Sequence, residues 1–435
     1  MPGIDVPPDI IVPRFTPSHG HQSAPMLAHE TLAQLKTQLD FQAVAEPVGN
    51  LTLGRGRLRG NPLHVALVEN RIASGALGAK ESDKLASLFK VVAAKKTPLV
   101  MYLDSAGAKV SEGLLALGAF RHMYRAALAM AESGAPTAVC CGANCYGGAS
   151  MLASLAGTRF YSRNTRLAMS GPAVLAQTAG VSVLDEMFQA MSLAIIGAEA
   201  RSKLSLGNLA ISPTSLTEDL PVAASSEERH AELGARLAQR GGQEGYPPGA
   251  SVPKKLERKD LDKLFPGGYT LHEHDGVLGG EAIVNGSPVA AGGLIGGRLL
   301  GADRAWTLAE MIWKKRRAPP QTLHLLVDCE SHATTLDDER IMLSAYLADL
   351  ASALYALGLA GTRIETTVLG KLGGGVYPAV CAPVAQVNLL YGAEVQLLPG
   401  KAIASILGDA GSQNHEFRDY QTARVADQEI KLGIV

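Results

Sequence analysis

The chain has 435 residues, 47% of them apolar, and is long enough to bury a sizeable core in two or three domains. Lysine and arginine (40) nearly balance aspartate and glutamate (41), so no field of one sign indicates a nucleic acid or a membrane surface as a partner. Aromatic residues are few, at 5%, which favours tightly packed α/β layers over an aromatic-lined β fold.

Cysteine usage and the N-terminal sequence indicate a cytoplasmic protein. The five cysteines do not form two CxxC pairs, so neither a zinc ribbon nor another metal site is expected. Their odd number and apolar surroundings predict reduced, buried thiols. The N-terminus lacks a signal-peptide pattern, and no apolar run is long enough to cross a bilayer without Gly or polar breaks.

The chain begins with a proline-rich stretch. Six prolines fall within residues 1–25, which predicts an extended arm, assigned to residues 1–44, and not a folded domain. Two hypotheses stay open for this arm: it wraps a neighbouring subunit, or it is a loose tail.

Residues 45–212 are predicted to form a first α/β unit, because apolar periodicity alternates between strand and helix. The predicted order is strands 54–59 and 63–68, helix 81–94, strand 98–103, helix 112–133, strand 136–141, helix 149–156 and strands 158–161 and 166–168. Such alternation predicts parallel pairing through right-handed crossovers.

A polar segment separates this unit from a second one. Residues 213–264 are predicted to be a linker with one helix near 227–239. The second unit is assigned to residues 265–435. Its predicted elements are helix 305–315, strand 323–327, helix 340–357 and strand 363–370, followed by a glycine turn.

The second unit repeats the landmarks of the first. Gly60-Asn61-Pro62 recurs as Gly286-Ser287-Pro288, Leu103-Asp104-Ser105 as Val327-Asp328-Cys329, and Tyr146-Gly147-Gly148-Ala149 as Gly373-Gly374-Gly375-Val376. The offsets are 226, 224 and 227 residues, whereas solenoid repeats run to about 20–50 residues. The pattern predicts duplication or fusion of one large unit.

The two glycine turns are the first candidates for chemistry. A strand, a glycine turn and a helix leave unpaired backbone N–H groups at the helix start, where glycine lets a ligand approach closely. Such a turn can stabilise an oxyanion. Neither turn fits a Walker loop or GxGxxG. The alternative is that the glycine pairs only permit close helix–strand packing.

No catalytic triad stands out among the remaining candidates. Cys145 lies beside the first turn, but no histidine is near it in sequence, and we interpret it as a buried structural thiol. His332 follows Asp328 and is a candidate acid or base, although a lone histidine in a loop is more often structural.

These residues resemble the crotonase-superfamily carboxyltransferase domain of acetyl-CoA and propionyl-CoA carboxylases. Residues 104–113 (DSAGAKVSEG) resemble the family's DSGGARIQEG, residues 145–149 (CYGGA) its oxyanion turn, and residues 74–78 (SGALG) the loop along the acyl thioester. Residues 170–174 (SGPAV) and 368–371 (VLGK) are similar to the β and γ subunits of biotin-independent malonate decarboxylase. The chain therefore resembles a fused β–γ protein. It departs from the γ-type DTPG motif at residues 328–331 (DCES).

The resemblance implies two tandem crotonase-like spiral ββα domains with a site between the halves, often across a dimer. It implies that the N–H groups of Gly147 and Gly148 hold the thioester carbonyl, and that those of Gly375 and Val376, beside Gly374, hold the departing carboxylate. A side chain at Gly148 is expected to project at the ligand. The substrate contacts implied by the resemblance are Ser74, Gly75, Ala76, Ser105, Gly107, Lys109 and Gly374.

Three hypotheses for function follow. The favoured one is decarboxylation of a malonyl thioester, malonyl-acyl carrier protein to acetyl-acyl carrier protein, with no directly bound cofactor and the acyl group carried by phosphopantetheine or CoA. Its expected partners are an acyl carrier protein or CoA thioester and an acyltransferase subunit, in a homodimer or hetero-oligomer. The second hypothesis is the carboxyltransferase subunit of a biotin-dependent acyl-CoA carboxylase. The third is a non-catalytic subunit of such a complex.

Overall fold

The computed structural model describes residues 27–181, 184–204, 208–209, 220, 224–240, 258–400, 402–403 and 420–430. The proline-rich stretch 1–25 and most of the predicted linker lie outside these ranges. Within them the chain forms two α/β units, each built on an eight-stranded sheet.

The first unit combines a mixed sheet with helices that connect its parallel strands. Its sheet order is β1-β2-β3-β4-β5-β6-β8, with β7 beside β5. Its helices are α1 (Ala28–Gln38), α2 (Ala79–Lys95), α3 (Gly113–Glu132), α4 (Gly148–Ser154), α5 (Pro172–Thr178), α6 (Glu186–Ile196) and α7 (Ala198–Lys203). Its strands are β1 (Gln42–Ala43), β2 (Leu51–Leu58), β3 (Asn61–Val68), β4 (Leu99–Ser105), β5 (Thr137–Tyr146), β6 (Thr158–Tyr161), β7 (Arg166–Ala168) and β8 (Asn208–Leu209).

The second unit has the same plan. Its sheet order is β16-β14-β13-β12-β11-β10-β9, with β15 beside β13. Its helices, after α8 (Ser226–Arg240) and α9 (Arg258–Leu264), are α10 (Ala302–Lys315), α11 (Leu336–Arg340), α12 (Leu343–Leu359) and α13 (Val376–Cys381). Its strands are β9 (Tyr269–His274), β10 (Val277–Val284), β11 (Ser287–Leu294), β12 (Thr322–Cys329), β13 (Arg363–Gly373), β14 (Gln386–Leu390), β15 (Glu394–Gln396) and β16 (Gln428–Ile430).

The sequence repeat is a structural repeat, strand for strand. The antiparallel hairpin β2–β3 corresponds to β10–β11, and the parallel series β3-β4-β5-β6 corresponds to β11-β12-β13-β14. Both hairpins turn through two residues of positive φ, Arg59-Gly60 and Asn285-Gly286, the geometry that matches the twist of the flanking strands. The expected fold class, two tandem crotonase-like ββα units, is confirmed.

A helix buried on all sides joins the two units. Residues 343–354 of α12 are all buried, and the helix packs against α4 and α3 of the first unit as well as α10 and α13 of the second. One continuous apolar cluster therefore includes residues of both units. Because apolar burial is the main favourable term in folding, the units stabilise each other.

Arginine side chains also fasten α3 to the second unit. The Arg121 guanidinium donates to the carbonyl oxygen of Cys381 at 3.1 Å and to the Asp427 carboxylate at 2.9 Å. Arg125 donates to the carbonyl oxygen of Val384 at 2.7 Å. These bonds fix the relative position of the two units near the site described below.

Two expectations from the sequence differ from the structure. Residues 27–44 do not form an extended arm: α1 occupies 28–38 and buries Leu35 and Leu39 against the first sheet, while the Tyr102 hydroxyl donates to the Ala28 carbonyl at 3.1 Å. The predicted helix 340–357 is broken, because Met342 adopts a left-handed backbone (φ 69°) between α11 and α12.

The predicted linker helix forms and is docked. α8 covers residues 226–240, close to the expected 227–239, and packs against α10 and α12. The boundaries 45–212, 213–264 and 265–435 stay a prediction. None of the helices in the described ranges has the length and apolar character needed to span a membrane.

Candidate active site

A large cavity lies where the two units meet. Its volume is about 1130 Å³, and most of its lining is apolar. The first unit contributes the loops that follow β4 and β7 and the turn between β5 and α4. The second contributes the loop after β12 and the turn between β13 and α13. The polar residues along its wall include Ser74, Lys109, Ser111, Ser170, Gln177, Thr178, Glu330, Ser331, His332 and Thr334.

The first glycine turn opens onto this cavity. Gly147 has φ 54° and ψ −125°, a backbone conformation that favours glycine. Its N–H donates to the carbonyl oxygens of Ala168 and Met169 at 3.1 and 3.2 Å. Gly148 begins α4 and lines the cavity, and its N–H makes no hydrogen bond to another described residue. This N–H group is available to a ligand oxygen.

The second glycine turn begins with the same φ, but the N–H groups of both its glycines are already bonded. Gly374 also has φ 54°, and its N–H donates to the Leu397 carbonyl at 3.0 Å. The next N–H, that of Gly375, donates to Nδ1 of His332 at 3.1 Å. Of the two amides that the resemblance assigned to a departing carboxylate, that of Gly375 is therefore bound within the protein.

The repeat explains why the two turns differ. Matching β-bridges join Leu77 to Ala108 in the first unit and Leu300 to His332 in the second. His332 thus takes the place that Ala108 has in the first copy. A methyl group at this place leaves the first turn open, whereas an imidazole closes the second.

One residue, Met169, contacts both turns. The Met169 carbonyl accepts the Gly147 N–H, and the Met169 sulfur lies 3.4 Å from the Ser150 hydroxyl in α4. The methyl group of Met169 lies where a β carbon on Gly375 would stand. The two turns therefore face each other across a single residue, as a composite site requires.

The hydrogen bonds of His332 fix its protonation. Burial lowers the pKa of His332 to about 4, so the ring is neutral at pH 7. Because Nδ1 accepts the Gly375 N–H, the ring proton is assigned to Nε2. Nε2 lies 3.2 Å from the Ser170 hydroxyl oxygen and donates to it.

Ser170 is held from behind by a buried ion pair. Its backbone N–H donates to the Glu339 carboxylate at 2.9 Å. Glu339 lies 3.6 Å from Arg201, and both side chains are fully buried. Burial, partly offset by Arg201, raises the pKa of Glu339 to about 7. Arg201 also donates to the Leu167 carbonyl at 2.8 Å, so the loop after β7 is anchored to α11 of the second unit.

Some of the residues assigned to substrate contact from the sequence line the cavity and others do not. Gly147, Gly148, Gly374 and Gly375 line it, as do Ser74, Ala76, Gly107 and Lys109. The others do not appear in its wall: Ser105 and Val376 are fully buried, and a β carbon on Gly75 would overlap the backbone of Asp104. The Ser105 hydroxyl accepts the Gly107 N–H at 3.1 Å and so shapes the loop from within.

The repeated aspartates are structural partners of the turns. The Asp104 carboxylate accepts the N–H groups of Ala143 and Asn144 at 3.2 and 3.0 Å, and that of Asp328 accepts the Lys371 N–H at 3.2 Å. Each carboxylate fastens the strand that leads into its glycine turn. Neither aspartate is among the residues that line the cavity.

Sequence reasoning missed the contact of Ser170 with His332. The two residues are 162 positions apart and belong to different units, so no local pattern connects them. The one sequence feature that pointed to this region was the departure from the DTPG motif at residues 328–331, next to His332.

Comparison with known proteins shows what the first unit is similar to. Residues 27–197 match the carboxyl transferase domain. The methylmalonyl-CoA carboxyltransferase 12S subunit of Propionibacterium freudenreichii subsp. shermanii is 27% identical over 164 residues, which are 38% of this chain and 29% of that protein. Acetyl-CoA carboxylase carboxyl transferase subunit beta 2 of Lachnospira eligens is 28% identical over 137 residues, 31% of this chain and 53% of that protein.

Solved structures of related proteins are similar at low identity. The transcarboxylase 12S structure aligns with 92% of this chain and 86% of its own, at 19% identity and a TM-score of 0.37. A chain of the Pseudomonas malonate decarboxylase hetero-tetramer aligns with 52% of this chain and 95% of its own, at 22% identity and a TM-score of 0.44. The matches to the two curated relatives span about half of their length or less. Residues 27–197 of this chain are therefore similar in sequence to a carboxyl transferase domain.

Proposed function

We propose that this chain is a carboxyltransferase that acts on an acyl thioester, with CoA as the carrier, and moves a carboxyl group at the α carbon. The observation that supports this most directly is the unoccupied N–H of Gly148 on the wall of a large, mostly apolar cavity. The relatives point the same way, because their names describe carboxyl transfer on CoA thioesters.

The geometry suits a reaction that passes through an enolate. When a carboxyl group leaves the α carbon, negative charge moves to the thioester oxygen. A positioned backbone donor at that oxygen stabilises the transition state by about 3–4 kcal/mol. An apolar cavity favours conversion of a carboxylate to neutral CO₂. The N–H of Gly148 supplies the donor, and Leu117, Phe120 and Met169 supply apolar walls.

Decarboxylation of a malonyl thioester without biotin is a second candidate. The observation that favours it is the occupied Gly375 N–H. Carboxyl transfer requires a second anion, on the carboxyl acceptor, to be stabilised in the same site. Decarboxylation requires an oxyanion site at the thioester only, and among the described residues the first glycine turn has an open N–H while the glycine N–H groups of the second are bonded.

One assay separates the candidates. The purified protein is incubated with malonyl-CoA, and acetyl-CoA is measured by liquid chromatography with and without biocytin as a carboxyl acceptor. A carboxyltransferase forms acetyl-CoA in proportion to biocytin and yields carboxybiocytin. A decarboxylase forms acetyl-CoA and CO₂ at the same rate without it. Binding of malonyl-CoA with no turnover in either case would leave the non-catalytic hypothesis, and no binding would overturn the proposal.

A further inference from the structure

Ser170 and His332 are polar side chains of different units that meet inside the cavity beside the second glycine turn. A chain of hydrogen bonds runs through it in one direction. The Gly375 N–H donates to Nδ1 of His332, and Nε2–H donates to the Ser170 oxygen. The serine oxygen accepts within this chain, so its own O–H is left to donate to a ligand.

This direction excludes a nucleophilic serine. A serine that attacks a carbonyl gives its proton to an unprotonated imidazole nitrogen. Here the only unprotonated nitrogen is Nδ1, which the Gly375 N–H already occupies at 3.1 Å. Ser170 is therefore a hydrogen-bond donor, strengthened by the bond that it accepts.

We propose that Ser170, polarised by His332, binds the carboxylate of the substrate in place of the N–H of the second glycine turn. This inference rests on the proposed function, because it names the group that holds the part of the acyl chain about to be lost or transferred. His332 is a positioning residue: it accepts the Gly375 N–H at Nδ1 and donates from Nε2 to Ser170, which in turn donates into the cavity.

The Ser170–His332 pair is uncharged, and this suits the binding of a carboxylate that is later lost or transferred. A lysine or arginine at this place would hold the carboxylate as an ion pair and would resist its conversion to CO₂. A hydroxyl binds the carboxylate without adding a full charge. The Glu339 carboxylate on the far side of Ser170 keeps the backbone in place, since it accepts the Ser170 N–H at 2.9 Å.

The test uses two stable CoA thioethers that cannot react. S-(2-carboxyethyl)-CoA places a carboxylate at the same distance from sulfur as malonyl-CoA, and S-propyl-CoA has the same length without it. Calorimetric titration of the wild-type protein should show tighter binding of the carboxylate ligand by about tenfold or more, as expected for a hydrogen bond to a charged group. Ser170→Ala should reduce this ratio towards one and leave the affinity for S-propyl-CoA unchanged.

His332→Asn tests the hydrogen bond from His332 to Ser170 while keeping the bond from Gly375. The asparagine oxygen can still accept the Gly375 N–H, but the side chain is too short to reach Ser170. It should reduce the ratio as well, and the double variant should lose no more than Ser170→Ala alone, because the two residues act in series. Thr334→Val is the matched control: Thr334 bonds Thr178 across the same cavity at 2.6 Å, and its loss should leave the ratio unchanged.

The outcomes separate this inference from the proposed function. If neither thioether binds, the acyl-CoA site itself is wrong. If both bind equally to the wild-type protein, the carboxylate role of Ser170 is wrong while the thioester site stands. An equal loss of affinity for both ligands in Ser170→Ala would reduce the pair to a structural contact.

Discussion

At the scale of single residues, the two glycines of the first turn are required for different reasons. Gly147 is required for its backbone angles, since a β carbon there would have no neighbour closer than 3.8 Å. Gly148 is required for packing, because a β carbon there would overlap the ring of Phe120. The sequence suggested that a side chain at position 148 would point at the ligand. In the structure it would point at the ring of Phe120, which belongs to the apolar core and also lines the cavity.

Gly148→Ala should therefore destabilise the protein as well as reduce activity. Overpacking of a core typically costs about 1–3 kcal/mol. Urea unfolding should show a lower midpoint for Gly148→Ala, and Phe120→Leu in the same chain should restore part of the loss. A Gly148→Ala variant as stable as the wild type would contradict the packing described here.

At the scale of elements, α8 is held against α10 and α12 by one histidine that lies between two carboxylates. His230 lies 2.7 Å from Asp349 in α12 and 2.8 Å from Glu310 in α10. Its ring stacks on Trp306 at 5.3 Å and lies 6.0 Å from Trp313. Burial lowers the pKa of His230, but its hydrogen bonds to Asp349 and Glu310 outweigh this, and the pKa lies above 6.5.

The docking of α8 should weaken at alkaline pH. A histidine whose pKa is raised in the folded state contributes stability that is fully present below pH 6.5 and is lost as the pH rises through the folded pKa. The chain has two tryptophans, and both lie beside His230, so their fluorescence reports this titration. His230→Gln should abolish the fluorescence transition, while His29→Gln, at an exposed position of α1, should retain it. The same transition in His230→Gln would refute the assignment.

The elements also show what a single sequence can predict. Six strands of the first unit and two of the second were predicted, because buried strands of a parallel sheet are apolar runs between turn residues, and strands 158–161 and 166–168 have the predicted bounds. The break at Met342 was not. It depends on tertiary partners, since Asp338 accepts the Ala302 N–H at 2.9 Å and Glu339 is paired with Arg201. The helical periodicity of a sequence does not indicate such distant partners.

The site, like the elements, could be predicted from the sequence only where it depends on local patterns. The glycine turns follow from local patterns and lie together as expected. The closure of the second turn by His332 follows from an interaction between a loop and a turn 43 residues apart, and its extension to Ser170 crosses between units. In the sequence, this closure is indicated only by a residue-by-residue alignment of the two repeats, in which His332 corresponds to Ala108.

At the scale of the whole molecule, the two units share one core, and fragments should not fold independently. A break within residues 241–253 separates α8 and the first unit from α12. The first fragment would expose the faces of α3 and α4 that α12 covers. We expect each fragment alone to lack a cooperative unfolding transition by circular dichroism, and co-expressed fragments to regain both the transition and activity. A cooperative transition, or full activity, from residues 1–245 alone would contradict the shared core and the composite site.

The central position of α12 also sets the order of events during synthesis. α4 ends at Ser154, and α12, which covers it, begins 189 residues later at Leu343. At about 5–20 residues per second, the ribosome needs on the order of 10–40 s to deliver that helix. During this interval the residues of the first sheet and of most first-unit helices are present, but the helix that covers the apolar face of α3 and α4 is missing. We therefore expect nascent chains of this protein to bind chaperones that recognise apolar surfaces until α12 has been made.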